Sequence, residues 1–105
     1  MNLRILSPAH DEIVIATNYL QKLSGMGWEF NEQVYSTLDS IEADPNAFPL
    51  WELNSLDVEI RRVMLQRFRY VIYFQIVLDE VIILAIRHTS QDYKSWMNRI
   101  RRNDI

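Results

Sequence analysis

Basic side chains between residues 61 and 88 are the best candidates for chemistry in this sequence. They are Arg61, Arg62, Arg67, Arg69, Arg87 and His88. A cluster of arginines can hold a phosphate group or an acidic peptide, and a neighbouring histidine can transfer protons near neutral pH. Arg87, His88, Arg61 and Arg62 are therefore our candidate catalytic residues. The alternative is that these arginines solvate an exposed face and pair with nearby acids.

The sequence gives little support to other kinds of site. It contains no cysteine, which excludes disulfides and thiolate ligands. His10 and His88 are far apart and lack the regular spacing of metal ligands. No G-x-S-x-G motif is present, and the acidic residues mostly lie on predicted outer faces of helices, which argues against a paired-carboxylate site. We expect neither a metal nor a cofactor.

Charge is distributed unevenly along the 105 residues. Residues 1–58 carry nine acids and two bases, whereas residues 59–105 carry five acids and nine bases. A basic half of this kind can hold an acidic protein or a nucleic acid. The length predicts a single domain over residues 1–105. Because the amino terminus lacks the apolar region of a signal peptide and the longest apolar run is only residues 81–86, we expect a cytoplasmic protein with no membrane contact.

The elements that would position the basic residues centre on a predicted β-hairpin over residues 68–88. Its strands cover residues 68–77 and 81–88, with the turn near Leu78 to Glu80. In the first strand the side chains that share one face are Phe68, Tyr70, Ile72, Phe74 and Ile76. The opposite face is only partly polar. The second strand is apolar on both faces, so it must be covered on both sides or lie centrally in its sheet. The pattern of residues 58–65 predicts a strand before the hairpin, which would complete a three-strand antiparallel meander. The alternative is a helix over residues 58–69.

Helices are predicted on the amino-terminal side of the hairpin. A short strand over residues 3–6 precedes a helix that Ser7 caps, with Asp11 and Glu12 near the positive end of its dipole. The apolar stripe of this helix is Ile13, Ala16, Leu20 and Leu23, with Tyr19 beside it. A second helix over residues 28–43 has the stripe Phe30, Val34, Leu38 and Ile41, and the two helices should form an antiparallel hairpin on one face of the sheet.

The chain after the hairpin predicts one more short helix. Thr89 and Ser90 are its expected caps, and its apolar side carries Trp96. Trp51 and Trp96 are more typical of a core than of an exposed surface. The fold class is therefore α+β: an amino-terminal strand, a helical hairpin on a small, mostly antiparallel sheet, and a short carboxy-terminal helix.

Several motifs, in order along the chain, resemble one family of small proteins. The segment Ile41-x-x-Asp44-Pro45-x-x-Phe48-Pro49 comes first, and the run Ile60-Arg61-Arg62-Val63-x-Leu65-x-Arg67-Phe68-Arg69-Tyr70-x-Ile72-Tyr73-Phe74 follows. The last pieces are Ile83-Leu84-Ala85-Ile86-Arg87-His88 and Asp92-Tyr93-x-x-Trp96-x-x-Arg99. Together they are similar to the RelE/ParE superfamily of type II toxin–antitoxin toxins, in particular its ParE-like plasmid stabilisation branch.

The resemblance implies a bacterial toxin that inhibits growth and forms a hetero-oligomer with a cognate antitoxin. RelE-like members cleave messenger RNA on the ribosome, whereas ParE-like members act on DNA gyrase. Two positions where ribonucleases of the superfamily carry arginine hold Val71 and Gln91 here. We therefore expect a toxin that binds a cellular target such as gyrase. The alternatives are a messenger RNA endoribonuclease with a non-standard basic site, on the ribosome or free of it, and a non-toxic homologue that only binds antitoxin.

The residues expected to contact the target or the antitoxin are drawn from the basic cluster and the last predicted helix. They are Arg61, Arg62, Arg67, Arg87, Trp96 and Arg99.

Overall fold

The chain begins with one strand, continues with a helical hairpin and then forms a three-strand meander. The structure is a computed structural model, and it describes residues 1–52 and 58–101. Its strands are β1 (Asn2–Ile5), β2 (Arg61–Met64), β3 (Tyr70–Val77) and β4 (Glu80–His88), and its helices are α1 (Ser7–Ser24) and α2 (Gly27–Ala43). Short 3-10 helices cover Pro45–Ala47 and Tyr93–Arg99. The predicted α+β fold is confirmed.

One four-stranded sheet forms the centre of the molecule, in the order β1-β4-β3-β2. β1 runs parallel to β4, and the other pairs are antiparallel. The β3–β4 hairpin turns through Leu78 and Asp79, both of which have positive φ, at 51° and 63°. The ladder shifts between Tyr73 and Phe74, because Leu84 is an extra residue of β4 at that point.

The two helices pack on each other and on the sheet through the stripes that the 3.6-residue period predicts. In α2 all four stripe residues, from Phe30 to Ile41, are buried. In α1 Ile13 and Ala16 are buried, but Leu23 is exposed, so its assignment to the stripe was wrong. Gly27 permits the close approach of the helices, because a Cβ there would lie 2.5 Å from the carbonyl oxygen of Thr17.

The face of the sheet opposite the helices is also covered. Tyr73 on this face packs against Trp51 and Trp96, with ring centroids 5.2 and 4.5 Å away. The amide of the buried Gln75 exchanges two hydrogen bonds with the backbone of Arg101, at 2.8 and 2.6 Å. The prediction that β4 must be covered on both sides or lie centrally in its sheet is therefore confirmed.

The predicted caps of two helices were wrong. Ser7 does not cap α1: Leu6 occupies the N-cap position, and no side chain bonds the free N–H groups there. The last helix is capped by Asp92, which accepts a hydrogen bond from the Lys94 N–H at 2.9 Å, and not by Thr89 or Ser90.

The strand expected over residues 58–65 is confined to Arg61–Met64, and the alternative of a helix there was wrong. Part of the connecting segment expected over residues 45–57, and Arg102, lie outside the described residues. Within residues 1–52 and 58–101, no helix is long and apolar enough to cross a membrane.

Candidate functional site: a cleft beside the end of β4

A largely buried carboxylate organises the carboxy-terminal end of β4. Glu12 extends from α1, and its side chain is only 14% exposed. Its Oε2 accepts a hydrogen bond from Arg87 at 2.8 Å, and its two oxygens accept a bidentate pair from Arg99 at 3.0 and 3.1 Å. The expected place of Glu12 near the helix dipole was wrong, because the first turn of α1 holds no acid.

The same group of side chains satisfies the edge of β4 where β1 stops. β1 pairs with β4 only as far as Ile5 and Ile83. Beyond that point the Ile86 N–H donates to Glu12 at 3.1 Å, and the Leu84 carbonyl accepts from Arg99 at 3.1 Å. The His88 N–H donates to the side-chain oxygen of Gln91 at 2.7 Å. Side chains therefore replace a neighbouring strand along this part of the edge.

His88 is held in one tautomer at the end of the strand. Its Nδ1 accepts a hydrogen bond from the backbone N–H of Ser90 at 3.1 Å, and the Ser90 Oγ lies 2.8 Å away. Because a backbone N–H can only donate, Nδ1 carries no proton, and the proton of the neutral ring is on Nε2. The imidazole packs edge-on against Tyr70, with ring centroids 5.3 Å apart. Nε2–H is thus the group that His88 can offer to a ligand.

These side chains line one wall of a cleft of about 460 Å³. The flank of α1 lines the cleft with Ile15, Ala16 and Tyr19. The sheet lines it with Tyr70, Arg87 and His88. Ile15 and Tyr19 are 66% and 57% exposed. Burial, and then the neighbouring Tyr19 phenol, raise the pKa of Tyr70 above its ordinary value.

The structure separates the predicted site residues into two groups. Arg87 and His88 line the cleft at the end of β4, and Arg99 reaches the same Glu12 carboxylate without lining the cleft. Arg61 and Arg62 lie on β2, at the far edge of the sheet, and Arg61 donates to the Phe48 carbonyl at 2.6 Å. The four candidate catalytic residues therefore do not form one site.

Arg67 and Trp96, two of the predicted contact residues, belong to neither group. The Arg67 guanidinium lies 5.8 Å from the centre of the Phe68 ring, with Nη2 3.8 Å from the sulfur of Met26. Trp96 is fully buried, so its indole has no surface to offer a partner in this conformation.

The sequence analysis missed Glu12, Tyr19 and Gln91 as site residues. Glu12 is separated from Arg87 and Arg99 by 75 and 87 residues, so no local pattern links them. Gln91 was noted only as a missing arginine, yet its side chain holds the His88 backbone. A usable signal did exist for Tyr19: Ile15, Tyr19 and Leu23 form an apolar line at a spacing of four, beside the stripe of α1 that faces the core.

Chemically, the site offers one imidazole N–H and a guanidinium that is already paired. Arg87 is 20% exposed, and its Nη1 donates to Glu12 at 2.8 Å. A transition state with extra charge on phosphate oxygens needs free cations placed for it. Among the residues that the structure describes, no group of three His, Asp or Glu side chains is placed to hold a metal ion.

A solved structure described as the chromosomal ParDE toxin–antitoxin system from P. aeruginosa has the same fold, with a TM-score of 0.72 and 16% sequence identity. The match covers 84% of this chain and 95% of that one. No curated protein sequence matches.

The family model described as the ParE toxin of the type II toxin–antitoxin system parDE matches residues 10–93. The chain belongs to this family, and it is therefore a toxin of the type II toxin–antitoxin class.

Proposed function

We propose that this protein arrests growth by binding a protein target, such as DNA gyrase, and that a cognate antitoxin neutralises it. The observation that carries the proposal is the pairing of Arg87 and Arg99 with Glu12. It engages Arg87, the arginine that lines the cleft, in the fold and so limits its use in stabilising a cleaved phosphate. Binding chemistry makes no such demand.

Contacts to the target are proposed at the remaining basic residues. Arg62 and Arg67 form no ion pair within the described part of the chain, so both can meet an acidic surface. Arg61 is a weaker candidate because it already donates to the Phe48 carbonyl.

The direct test compares two activities of the purified protein. We expect it to inhibit DNA supercoiling by purified gyrase, and its expression to induce the DNA-damage response. We expect intact messenger RNA when 5′ ends are mapped after expression. Codon-dependent cuts in messenger RNA without DNA damage would reject the proposal. Absence of any growth arrest would indicate a non-toxic homologue.

The second candidate function is a ribonuclease built on His88. It is favoured by the position of His88 in the lining of the cleft, with Ser90 and Arg87 beside it. On this hypothesis, the double substitution Arg87→Ala and His88→Ala abolishes toxicity, and His88→Ala alone lowers it strongly. His10→Ala is the matched control, since His10 is exposed on α1. Toxicity unchanged by His88→Ala would eliminate this site.

A further inference from the structure

The outward face of α2 carries aromatic and acidic side chains in one stripe. Its members are Trp28, Glu32, Tyr35, Asp39 and Glu42, all of them exposed. From the helical period they lie within an arc of about 80°, away from the buried face of α2, and extend over about 21 Å. These five residues form an acidic aromatic stripe. Folding does not account for Trp28 in it, because this side chain is 72% exposed and buries little of its ring.

The negative charge of the stripe has no counterpart on the same helix. α2 contains Glu29, Glu32, Asp39 and Glu42 and no lysine or arginine. None of the ion pairs within the described part of the chain involves an acid of α2. Pairing of the stripe with the same stripe of a second copy is opposed by repulsion between these acids. The stripe is therefore complementary to a basic surface.

The spacing within the stripe suits arginine side chains of a partner. An acid follows each aromatic residue four positions later, Glu32 after Trp28 and Asp39 after Tyr35, so that ring and carboxylate are neighbours on the helix surface. A guanidinium can stack on the ring and donate paired hydrogen bonds to the carboxylate. The stripe thus offers two places of the same kind, about 10 Å apart along the helix.

We propose that the acidic aromatic stripe binds the DNA-binding surface of the target enzyme. Enzymes that act on DNA hold its phosphates with arginine and lysine side chains, and such a surface complements the stripe in charge and in side-chain chemistry. The chain thereby occupies the place of DNA on its target. This inference rests on the proposed function and specifies which surface each protein uses. Arg62 and Arg67 lie outside the stripe and contact another part of the target.

The test measures binding of the full-length chain to purified gyrase in the absence of DNA. Trp28→Ala removes the ring and should weaken binding about 30-fold or more, as expected for a central contact. Trp28→Phe keeps a ring in the same place and should recover most of the affinity. Leu78→Ala is the matched control, since Leu78 is similarly exposed, at 79%, but lies in the β3–β4 turn. It should change the dissociation constant by less than about threefold.

A second pair of variants tests the charge of the stripe. Glu32→Lys reverses one charge inside it and should weaken binding about tenfold or more. Asp11→Lys makes the same change in net charge at an exposed position of α1, and its effect should be less than about threefold. Affinity should also fall as salt rises, and a linear DNA duplex should compete with the wild-type chain for gyrase. Thermal melting shows that each variant is folded.

The outcomes separate this inference from the proposed function. If the wild-type chain neither binds nor inhibits gyrase, both fall. If it binds and the Trp28→Ala and Glu32→Lys variants bind equally well, or if DNA and the chain bind gyrase together without competition, the inference is wrong while gyrase remains the target. If Trp28→Ala leaves gyrase binding unchanged but weakens antitoxin binding, or converts a dimer of the chain to a monomer, that partner covers the stripe and the proposal is overturned.

Discussion

Glu12 joins parts of the chain that are distant in sequence. Its carboxylate contacts Arg87 at the end of β4, Arg99 on the carboxy-terminal 3-10 helix and the backbone of Ile86. All three charged side chains are at most one-fifth exposed. Buried charges are costly when they lose their partner. The carboxylate therefore supports the fold and limits what the arginines can do in the cleft.

Replacing Glu12 should measurably destabilise the protein. Glu12→Ala leaves two arginines and one backbone N–H without their acceptor, so we expect the free energy of unfolding to fall by about 3 kcal/mol. Glu12→Gln keeps an oxygen for the Ile86 N–H and should cost about half as much. Urea denaturation measures both. Glu32→Ala, at an exposed position of α2, should change stability by less than about 0.5 kcal/mol. Equal stability of Glu12→Ala and wild type would contradict the network.

Tyr70 should make stability fall at high pH. Its burial, with a smaller effect of Tyr19, raises its pKa above the ordinary value of 10.0. Above pH 10 the unfolded chain therefore loses this phenol proton while the folded chain still holds it, so ionisation favours unfolding. Tyr70→Phe should give a shallower decline of unfolding free energy between pH 9 and about 11. Tyr19→Phe should lie between the two. Identical slopes for Tyr70→Phe and wild type would show that the phenol does not contribute.

At the scale of elements, the β3–β4 hairpin carries strain in its turn. A two-residue turn with positive φ at both positions favours Asn, Asp or Gly. Asp79 suits its place, but Leu78 is an exposed leucine in a left-handed conformation. A residue other than Gly, Asn or Asp costs roughly 1–2 kcal/mol in this conformation.

Leu78→Asn should relieve this strain. We expect a gain of about 1 kcal/mol in unfolding free energy, because asparagine tolerates the left-handed region. Leu78→Ala removes the same exposed side chain but keeps the unfavourable conformation, so it should change stability little. Thermal melting at neutral pH measures both. If alanine stabilises as much as asparagine, the benefit comes from removing exposed apolar surface.

Elements held together by near neighbours could be predicted from the sequence, and those held by distant contacts could not. The four-residue spacing in α2 is a local signal, and it predicted the buried face correctly. The alternation in β3 predicted which side chains share a face, but both faces are buried from Val71 to Gln75. The strand expected from residue 58 begins only at Arg61, where Leu50 forms a bridge, and the Trp51 N–H donates to the Ile60 carbonyl just before it. That pairing depends on a loop, which periodicity does not describe.

The candidate site was predicted in part for the same reason. Arg87 and His88 could be identified in the sequence as the abrupt polar end of an apolar strand. The side chains that surround them could not be identified, since Glu12 and Tyr19 come from a helix more than 65 residues earlier. The hydrogen bond from Ser90 that fixes the His88 tautomer depends on the local path of the chain after β4. Residue types alone carry no information about it.

At the scale of the whole molecule, the sheet is stable only if both of its faces are covered. The helical hairpin covers one face, and a smaller aromatic layer of Trp51, Tyr73 and Trp96 covers the other. Trp96 belongs to the short 3-10 helix that follows β4. The carboxy-terminal segment is therefore part of the core. Trp96, which the sequence predicted as a partner contact, is thus a core residue in this structure.

Substitution of Trp96 should act on folding first. Trp96→Ala removes a fully buried indole and should cost about 3–5 kcal/mol, a large part of the stability of a small domain. Trp96→Phe keeps an aromatic ring against Tyr73 and removes an indole N–H that has no acceptor among the described residues, so it should cost clearly less. Near-ultraviolet circular dichroism and thermal melting measure these losses.

Antitoxin binding then separates the structural role of Trp96 from a direct one. The expected antitoxin is the protein encoded by the adjacent reading frame. We expect Trp96→Phe to bind this protein as tightly as wild type. Trp96→Ala should lose binding only at temperatures where it has begun to unfold. A Trp96→Ala variant that melts like wild type yet fails to bind would show instead that the indole turns outward to meet the partner. In that case the aromatic layer would be part of the interface, and the sheet would be covered on that face by the antitoxin.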